Sequence, residues 1–439
     1  MIVNVITLGC SKNQVDSEMI LGVFKSSGAI VTTSLDDADV IVINTCGFIE
    51  SAKKEAIDTI LEMAEYKKYN CKHLIVTGCL AKRYKKEILS ELKEVDLVIG
   101  NDEYDDIANI LNKYFKSNNY TCLDYTNKIL YSKFPSAYIK ISDGCDNRCS
   151  YCAIPLIRGG FKSRKIEDIL DEVKLLTKEG ISEFNIISQD TTKYGLDIYG
   201  ELSLTRLLRE ISKIEGVKWI RILYMYAFEI TDELLDEIKT NEKICKYFDI
   251  PIQHLNNRLL KLMNRHDSKS VIFERVKKVR DLIPDAILRT TAIVGFPTET
   301  DEEFEELLEG IKELKFDKLG AFTFSSEEDT KADLLEDKID KEVQNIRYSK
   351  LMMIQQEVSN INNKKHIGKI YEALVEGVSE DEKYFVLRTY MDAPDVDGRC
   401  LLKLDETTAK DIIIGEYAKV KIISSDEYDF YVELSQGSL

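Results

Sequence analysis

Between residues 1 and about 117, short apolar runs alternate with segments whose apolar positions recur every three or four residues. The runs are VNVITL, DVIVIN, HLIVTG and DLVIG, separated by stretches such as SEMILGVFKSSG and SAKKEAIDTILEMAEY. Runs this short and this rich in Val and Ile are strands, and helical patterns between them predict βαβ units around a parallel sheet. A polar stretch, DYTNKILYSKFPSA, predicts a linker. From 131 to 363, six strand candidates (SAYIKIS, EFNIISQ, WIRILYM, YFDIPI, ILRTTAIVG and LGAFTFS) again alternate with amphipathic helices. Ile169, Val173 and Leu176 supply one apolar face. Six such units predict an incomplete (β/α) barrel. Leu351, Ile354, Val358 and Ile361 mark a long closing helix. After NNKKHIGK the period changes to two: Val420 and Ile422 alternate with Lys419 and Lys421, and Tyr428, Phe430, Val432 and Leu434 alternate in YDFYVELS. Residues 364–435 therefore predict a small antiparallel β-barrel, a kind of domain that binds RNA or protein through strand faces and loops. The fold class is α/β in three domains, 1–117, 131–363 and 364–435, as suits 439 residues, too many for one ordinary core.

Composition narrows the partners. The formal charge of −17, from 77 acidic and 60 basic side chains, argues against a surface built to neutralise phosphates and favours a basic partner. The opening MIVNVITLGC has no basic leader, and 18 uncharged apolar residues never occur in succession, so the chain is expected to be soluble and cytoplasmic, with no membrane partner. In that reducing compartment its ten Cys are not expected to form disulfides.

The cysteines carry the chemistry. Cys145, Cys149 and Cys152 form a CxxxCxxC run in DGCDNRCSYCAIP, with no nearby fourth Cys or His. Structural zinc asks for four ligands. A 4Fe-4S cluster held by three thiolates keeps one iron open to bind something else. The run follows the first strand of the central domain, at the strand end where such barrels place their chemistry. A second triad is spread along the first domain. Cys10, Cys46 and Cys79 each follow the carboxyl end of a predicted parallel strand, so they share the sheet edge where open α/β sheets bind ligands. Taken singly, each reads as well as a small buried hydrophobe. Cys71, Cys122, Cys245, Cys400, His73, His266 and His366 show no such pattern and are assigned to structure.

With Tyr151 just before the last Cys, the CxxxCxxC loop resembles that of the radical S-adenosylmethionine superfamily, and the whole chain resembles its three-domain methylthiotransferases. Both Cys triads match, as do RGGFKSR (Arg158 to Arg164), DIPIQH (Asp249 to His254) and GFPTET (Gly295 to Thr300). The resemblance implies two 4Fe-4S clusters, one on each triad, S-adenosylmethionine on the open iron of Cys145, Cys149 and Cys152, and a sulfur-carrying iron on Cys10, Cys46 and Cys79. It implies that the last barrel is a TRAM domain. The opening TLGCSKNQVDSE and the segment MDAPDVDG are similar to the branch that methylthiolates the β-carbon of an aspartate in small-subunit ribosomal protein S-twelve, met free or within the ribosome, with an electron donor and a sulfur source as further partners. The alternatives are a tRNA methylthiotransferase acting on a modified adenosine, a two-cluster electron-transfer protein, and an RNA-binding adaptor. Cofactor contacts are expected from Tyr151, Gln189 in ISQD, Arg221 in WIRIL and Gln253 in PIQH; Arg221 reads equally as a partner for Asp249. No side chain is expected to act as a catalytic acid or base, because the cofactor supplies the chemistry. Two positions depart from the family pattern: Tyr226–Ala227 stands where Tyr-Pro is usual, and Thr298–Glu299–Thr300 where Gly-Glu-Thr is usual.

Overall fold

The computed structural model describes residues 1–131, 135–405 and 408–435. Its first sheet has the order β2-β1-β3-β4-β5, all parallel: β1 (Ile2–Thr7), β2 (Ile30–Val31), β3 (Val40–Thr45), β4 (His73–Gly78) and β5 (Leu97–Gly100). Every residue of β3 is buried, because helices cover both faces of the sheet. Val40 and Val42 face the helices Ser11–Ser26 and Ile107–Phe115, while Ile41 and Ile43 face Glu50–Ala64 and Lys85–Glu91. The helix Ser11–Ser26 is buried on both sides. Its apolar face meets the sheet, and its polar face, with Lys12, Asp16 and Glu18, is pressed against the central domain.

The segment read as a polar linker joins the domains through buried contacts instead. Lys128 is sealed between Glu18 of the first domain and Glu172 of the second, at 3.3 and 3.0 Å. A carboxylate from each domain makes a lysine there worth burying, which its neighbours in sequence do not reveal. Ser132 to Phe134 of that segment lie outside the described residues.

The six central strands are β6 (Ser136–Lys140), β9 (Glu183–Ile187), β10 (Trp219–Ile222), β11 (Tyr247–Asp249), β12 (Ile287–Val294) and β13 (Lys318–Thr323). They form two parallel three-stranded sheets, β6-β9-β10 and β11-β12-β13, joined by a bridge between Ile220 and Ile244 into one open arc. A short antiparallel pair, β7 (Ser142–Asp143) and β8 (Lys162–Ser163), brackets the CxxxCxxC loop. Outward residues such as Ile186, Ile220, Phe248 and Leu288 pack under the helices. Inward residues include Glu183, Arg221, Tyr247 and Arg289. An arc that does not close cannot fill its lumen with its own side chains, and here the loop containing MDAPDVDG enters it. Lys318 pairs with Asp392 at 2.6 Å, Tyr138 donates to Asp395 at 3.1 Å and Tyr247 to Asp397 at 2.5 Å.

The closing helix runs Lys341–Lys364, but its buried stripe is Leu351, Gln355, Val358 and Asn362, and Ile361 is 61% exposed. The buried face is partly polar because Gln355 and Asn362 donate to the carbonyls of Phe316 and Lys315. Apolar spacing alone therefore rotates the helix slightly wrongly. The last domain is a closed barrel, β14-β15-β16-β18-β17, formed by β14 (Ile370–Val378), β15 (Tyr384–Thr389), β16 (Cys400–Lys403), β17 (Tyr417–Ser425) and β18 (Phe430–Leu434). Val420, Ile422, Phe430 and Val432 fill it. Four seams are antiparallel, and the closing seam β16–β18 is parallel.

Candidate active site

The first triad gathers at the carboxyl edge of the first sheet. Cys10 caps the helix Ser11–Ser26, Cys46 follows β3 directly, and Cys79 opens the helix Cys79–Arg83 after β4. Gly9 brings the first loop onto the second. Its φ is +89°, and a Cβ there would lie 2.7 Å from Cys46 Cβ and 3.0 Å from its Sγ. Only glycine permits both the left-handed backbone and the contact. Burial pushes the Cys79 thiol up to about 12 and raises that of Cys46 as well. These thiols stay protonated until a metal displaces the protons.

The second triad sits in the loop opened by β7. Gly144 (φ +70°) lies so close to Gly160 that a Cβ would fall 2.1 Å from its carbonyl oxygen. The Cys145 amide donates to Gly159 O at 3.2 Å, the Ser150 amide to Met263 O at 2.9 Å, and the Ala332 amide to Ser150 O at 2.8 Å, so the loop is stitched on three sides. Burial raises the Cys145 thiol to about 11 and pushes Cys152 further the same way. Tyr226 Oη lies 3.2 Å from Cys149 Sγ. A hollow of about 320 Å³ adjoins all three thiols, floored by Gly159 and Gly160. Among the described residues no three Cys, His, Asp or Glu side chains close on a single ion. A cube of four irons sets its thiolates farther apart than one ion does, and the two triads have the donors for it.

Of the expected cofactor contacts, Tyr151 packs against a small apolar cluster with Met263, Phe296 and Phe324. Gln189 stands two residues beyond β9, its amide nitrogen 3.3 Å from Asp143 and its Oε1 buried with no partner. An orphaned buried acceptor beside the loop is what an absent hydrogen-bonding cofactor leaves behind. Gln253 (φ +66°) links by backbone to Thr291 and Ile293. Arg221 has partners within the protein. It points into the lumen, but its guanidinium donates to Tyr390 O at 2.6 Å and Thr389 O at 3.4 Å and pairs with Glu183 at 3.3 Å, so it secures the last domain. Asp249 is held by Arg289 at 2.9 Å, not by Arg221. At the departure from the family pattern, Thr298 takes φ +69°, the conformation that glycine enters more freely.

Arg158, in the sequence only the first residue of the matched segment RGGFKSR, holds a central place in the site. It ends the helix Ile154–Arg158 that leaves the CxxxCxxC loop, and it reaches across the domain seam. One nitrogen donates to Asp143 at 3.0 Å. The other lies 2.7 Å from Asn13 Oδ1, 2.9 Å from Asp16 and 3.9 Å from Cys79 Sγ. Lys140 joins the same buried group, 2.8 Å from Asp143 and paired with Asp16. Burial opposes the charge on Asp143, yet Lys140 and Arg158 hold its carboxyl well below the usual range. Cys79 also packs on Ala153 and Ile157. One short helix thus has a thiol triad at each side. The wall beyond Cys10 opens into a cavity of about 720 Å³, bounded by Tyr224 and Arg289 of the arc and Glu376 and Asp395 of the last domain.

Comparison with known proteins agrees with this layout. The uncharacterized protein family UPF0004 matches residues 2–100, the radical SAM superfamily 139–311, and the TRAM domain 367–434. The ribosomal protein uS12 methylthiotransferase RimO of Clostridium novyi (strain NT) is 47% identical over 435 residues, spanning 97% of this chain and 96% of its own. The protein of that name from Acetivibrio thermocellus is 45% identical over 451 residues, covering 99% of both. Among solved structures, the radical S-adenosylmethionine methyltransferase TsrM from Kitasatospora setae, with cobalamin and a [4Fe-4S] cluster bound, superposes with a TM-score of 0.55 at 13% identity, over 73% of this chain and 74% of that one, which shows a shared fold. With two thiol triads at adjoining strand edges and near half identity along its whole length, the chain belongs to the ribosomal protein uS12 methylthiotransferase RimO family of the radical SAM superfamily.

Proposed function

We propose that this chain replaces a hydrogen on the β-carbon of an aspartate in ribosomal protein uS12 with a methylthio group. The observation that carries the reading is a pair of three-thiol sites, each one ligand short of closure, joined across a domain seam by Arg158. Cys145, Cys149 and Cys152 would hold one 4Fe-4S cluster, with Tyr151, Gln189 and Gln253 near S-adenosylmethionine; Cys10, Cys46 and Cys79 would hold the other. When bound, these groups supply the methyl transfer and radical chemistry that an aliphatic C–H bond of no useful acidity demands.

The protein's own residues position and shield. Arg158, tied to Asp16 and Asp143, fixes the first domain's thiols relative to the second domain's loop. Gln189 offers its unpartnered Oε1 to a donor on the cofactor. No general base is assigned, since the β-hydrogen offers none a useful proton. The reaction needs an electron donor and a sulfur source, and places the work in the cytoplasm beside ribosomes. The net charge of −17 steers basic ribosomal proteins in and tRNA away. Among the described residues no helix is long and apolar enough to cross a membrane. Mass spectrometry of uS12 and of tRNA nucleosides from a deletion strain tests the assignment: uS12 is expected to lose its methylthio group and regain it on complementation. Retention on uS12 with loss of a methylthio nucleoside would overturn it.

A further inference from the structure

Lys12 is the second residue of the helix Ser11–Ser26 and is 6% exposed. Among the described residues it makes no ion pair and no hydrogen bond. Its ammonium instead lies 3.0 Å from the centre of the Tyr224 ring. That ring lines the cavity of about 720 Å³ that Cys10, Ser11 and Gln14 also face. A buried cation without an anion is costly, and contact with one ring recovers only part of the lost hydration. A cation in the first turn of a helix also opposes the helix dipole. Neither folding nor local structure accounts for a lysine here.

The anions nearby are already taken. Asp16 is held by Lys140 and Arg158, Asp249 by Arg289, and Glu376 by Arg388, while Asp395 accepts the Tyr138 hydroxyl. Tyr224, which carries the ammonium, is itself held in a strained conformation. Its φ is +61°, its amide donates to Asp249 at 2.9 Å, and its carbonyl accepts from the Thr191 amide and hydroxyl. Strain of this kind persists where the surroundings over-determine a position, and it clusters at ligand sites.

We propose that Lys12 is the specificity-determining residue of the substrate cavity: its ammonium, seated on Tyr224, binds the side-chain carboxylate of the substrate aspartate and so sets the β-carbon beside the thiol triad of the first domain. This inference rests on the proposed function, and it explains why a carboxylate is chosen where a neutral amide would leave the cation unpaired. A charge-assisted contact in a site shielded from water discriminates charged from neutral ligand by about tenfold to a hundredfold in affinity.

The test is a double-mutant cycle with anaerobically reconstituted full-length protein. The ligands are uS12 and uS12 with its target aspartate changed to Asn, binding is measured by fluorescence anisotropy, and methylthio product by mass spectrometry. The native protein is expected to bind the Asp form about tenfold or more tighter than the Asn form. Lys12→Met is expected to bind both equally weakly, with unchanged iron and sulfide content and an undiminished melting temperature, while Lys12→Arg keeps the preference. If Lys12→Met retains the Asp preference, or if it weakens S-adenosylmethionine binding while uS12 binding stays intact, the proposal is overturned and the assignment of uS12 stands. If the native protein with both clusters leaves uS12 unmodified, the proposed function itself falls and takes this inference with it.

Discussion

One buried carboxylate of the central arc, Glu183, helps to fasten the last domain, and removing its charge has a calculable cost. Glu183, fully buried on β9, accepts two hydrogen bonds from Arg388 of β15 and lies 3.3 Å from Arg221 of β10. Burial pushes the Glu183 carboxyl up, but Arg388 and then Arg221 overcome it and hold it at about 2, below its ordinary value of 4.5. At about 1.4 kcal/mol per pH unit, that difference contributes about 3 kcal/mol to stability. Because the folded-state value is the lower one, the contribution is fully present above the unfolded value of 4.5 and is lost as pH falls from there toward about 2. Glu183→Gln keeps the shape and removes the charge, leaving two guanidiniums facing each other in a dry seam, which costs about 3–5 kcal/mol. Trp219, the only tryptophan, stands on the neighbouring strand with its ring 4.9 Å from Tyr417 of the last domain, so its fluorescence reports whether that barrel is docked. In urea titrations at pH 7 followed at this residue, the variant is expected to lose about 3 kcal/mol, and the gap between it and the native protein should close as the pH is lowered from 4.5. A loss under about 1 kcal/mol, the size of an exposed pair, or a gap that does not change with pH, would refute the reasoning.

The two triads are separable by composition. Native protein reconstituted without oxygen should carry about eight irons per chain, and Cys149→Ala or Cys46→Ala about four; only Cys149→Ala should abolish formation of 5′-deoxyadenosine, and equal loss in both would contradict the division of labour. Gly9→Ala should clear the first-domain site in the same way, because the new methyl meets Cys46 and the backbone must hold φ +89°; iron near eight would show that the loop can move aside. Arg158→Met strips a cation from the buried Asp16 and the partly exposed Asp143 and should cost about 3 kcal/mol at the seam between the first two domains, read as faster amide hydrogen exchange in the helix Ser11–Ser26, whereas Arg158→Lys should restore part of the protection.

What the chain states locally, it states clearly. The periods of apolar residues place all six strands of the arc and four of the five strands of the first sheet, because each strand turns apolar side chains to the helices that cover it. The triads stand out because one is a CxxxCxxC run and each cysteine of the other follows a strand end, and few other residues serve that chemistry. What depends on two distant segments meeting is invisible along the chain. Arg221 reads as a ligand contact until the loop at Thr389 and Tyr390 supplies its acceptors. Lys128 reads as linker until Glu18 and Glu172 close over it, and Arg158 as one residue of a matched segment until Asp16 and Asn13 arrive from the first domain. Burial decides the meaning of a charge, and burial is created only when domains pack. The sequence therefore determined the elements, the thiols and the family, while the tertiary structure alone decided which charges are fastened to partners and which one, at Lys12, is buried against the Tyr224 ring without an anion.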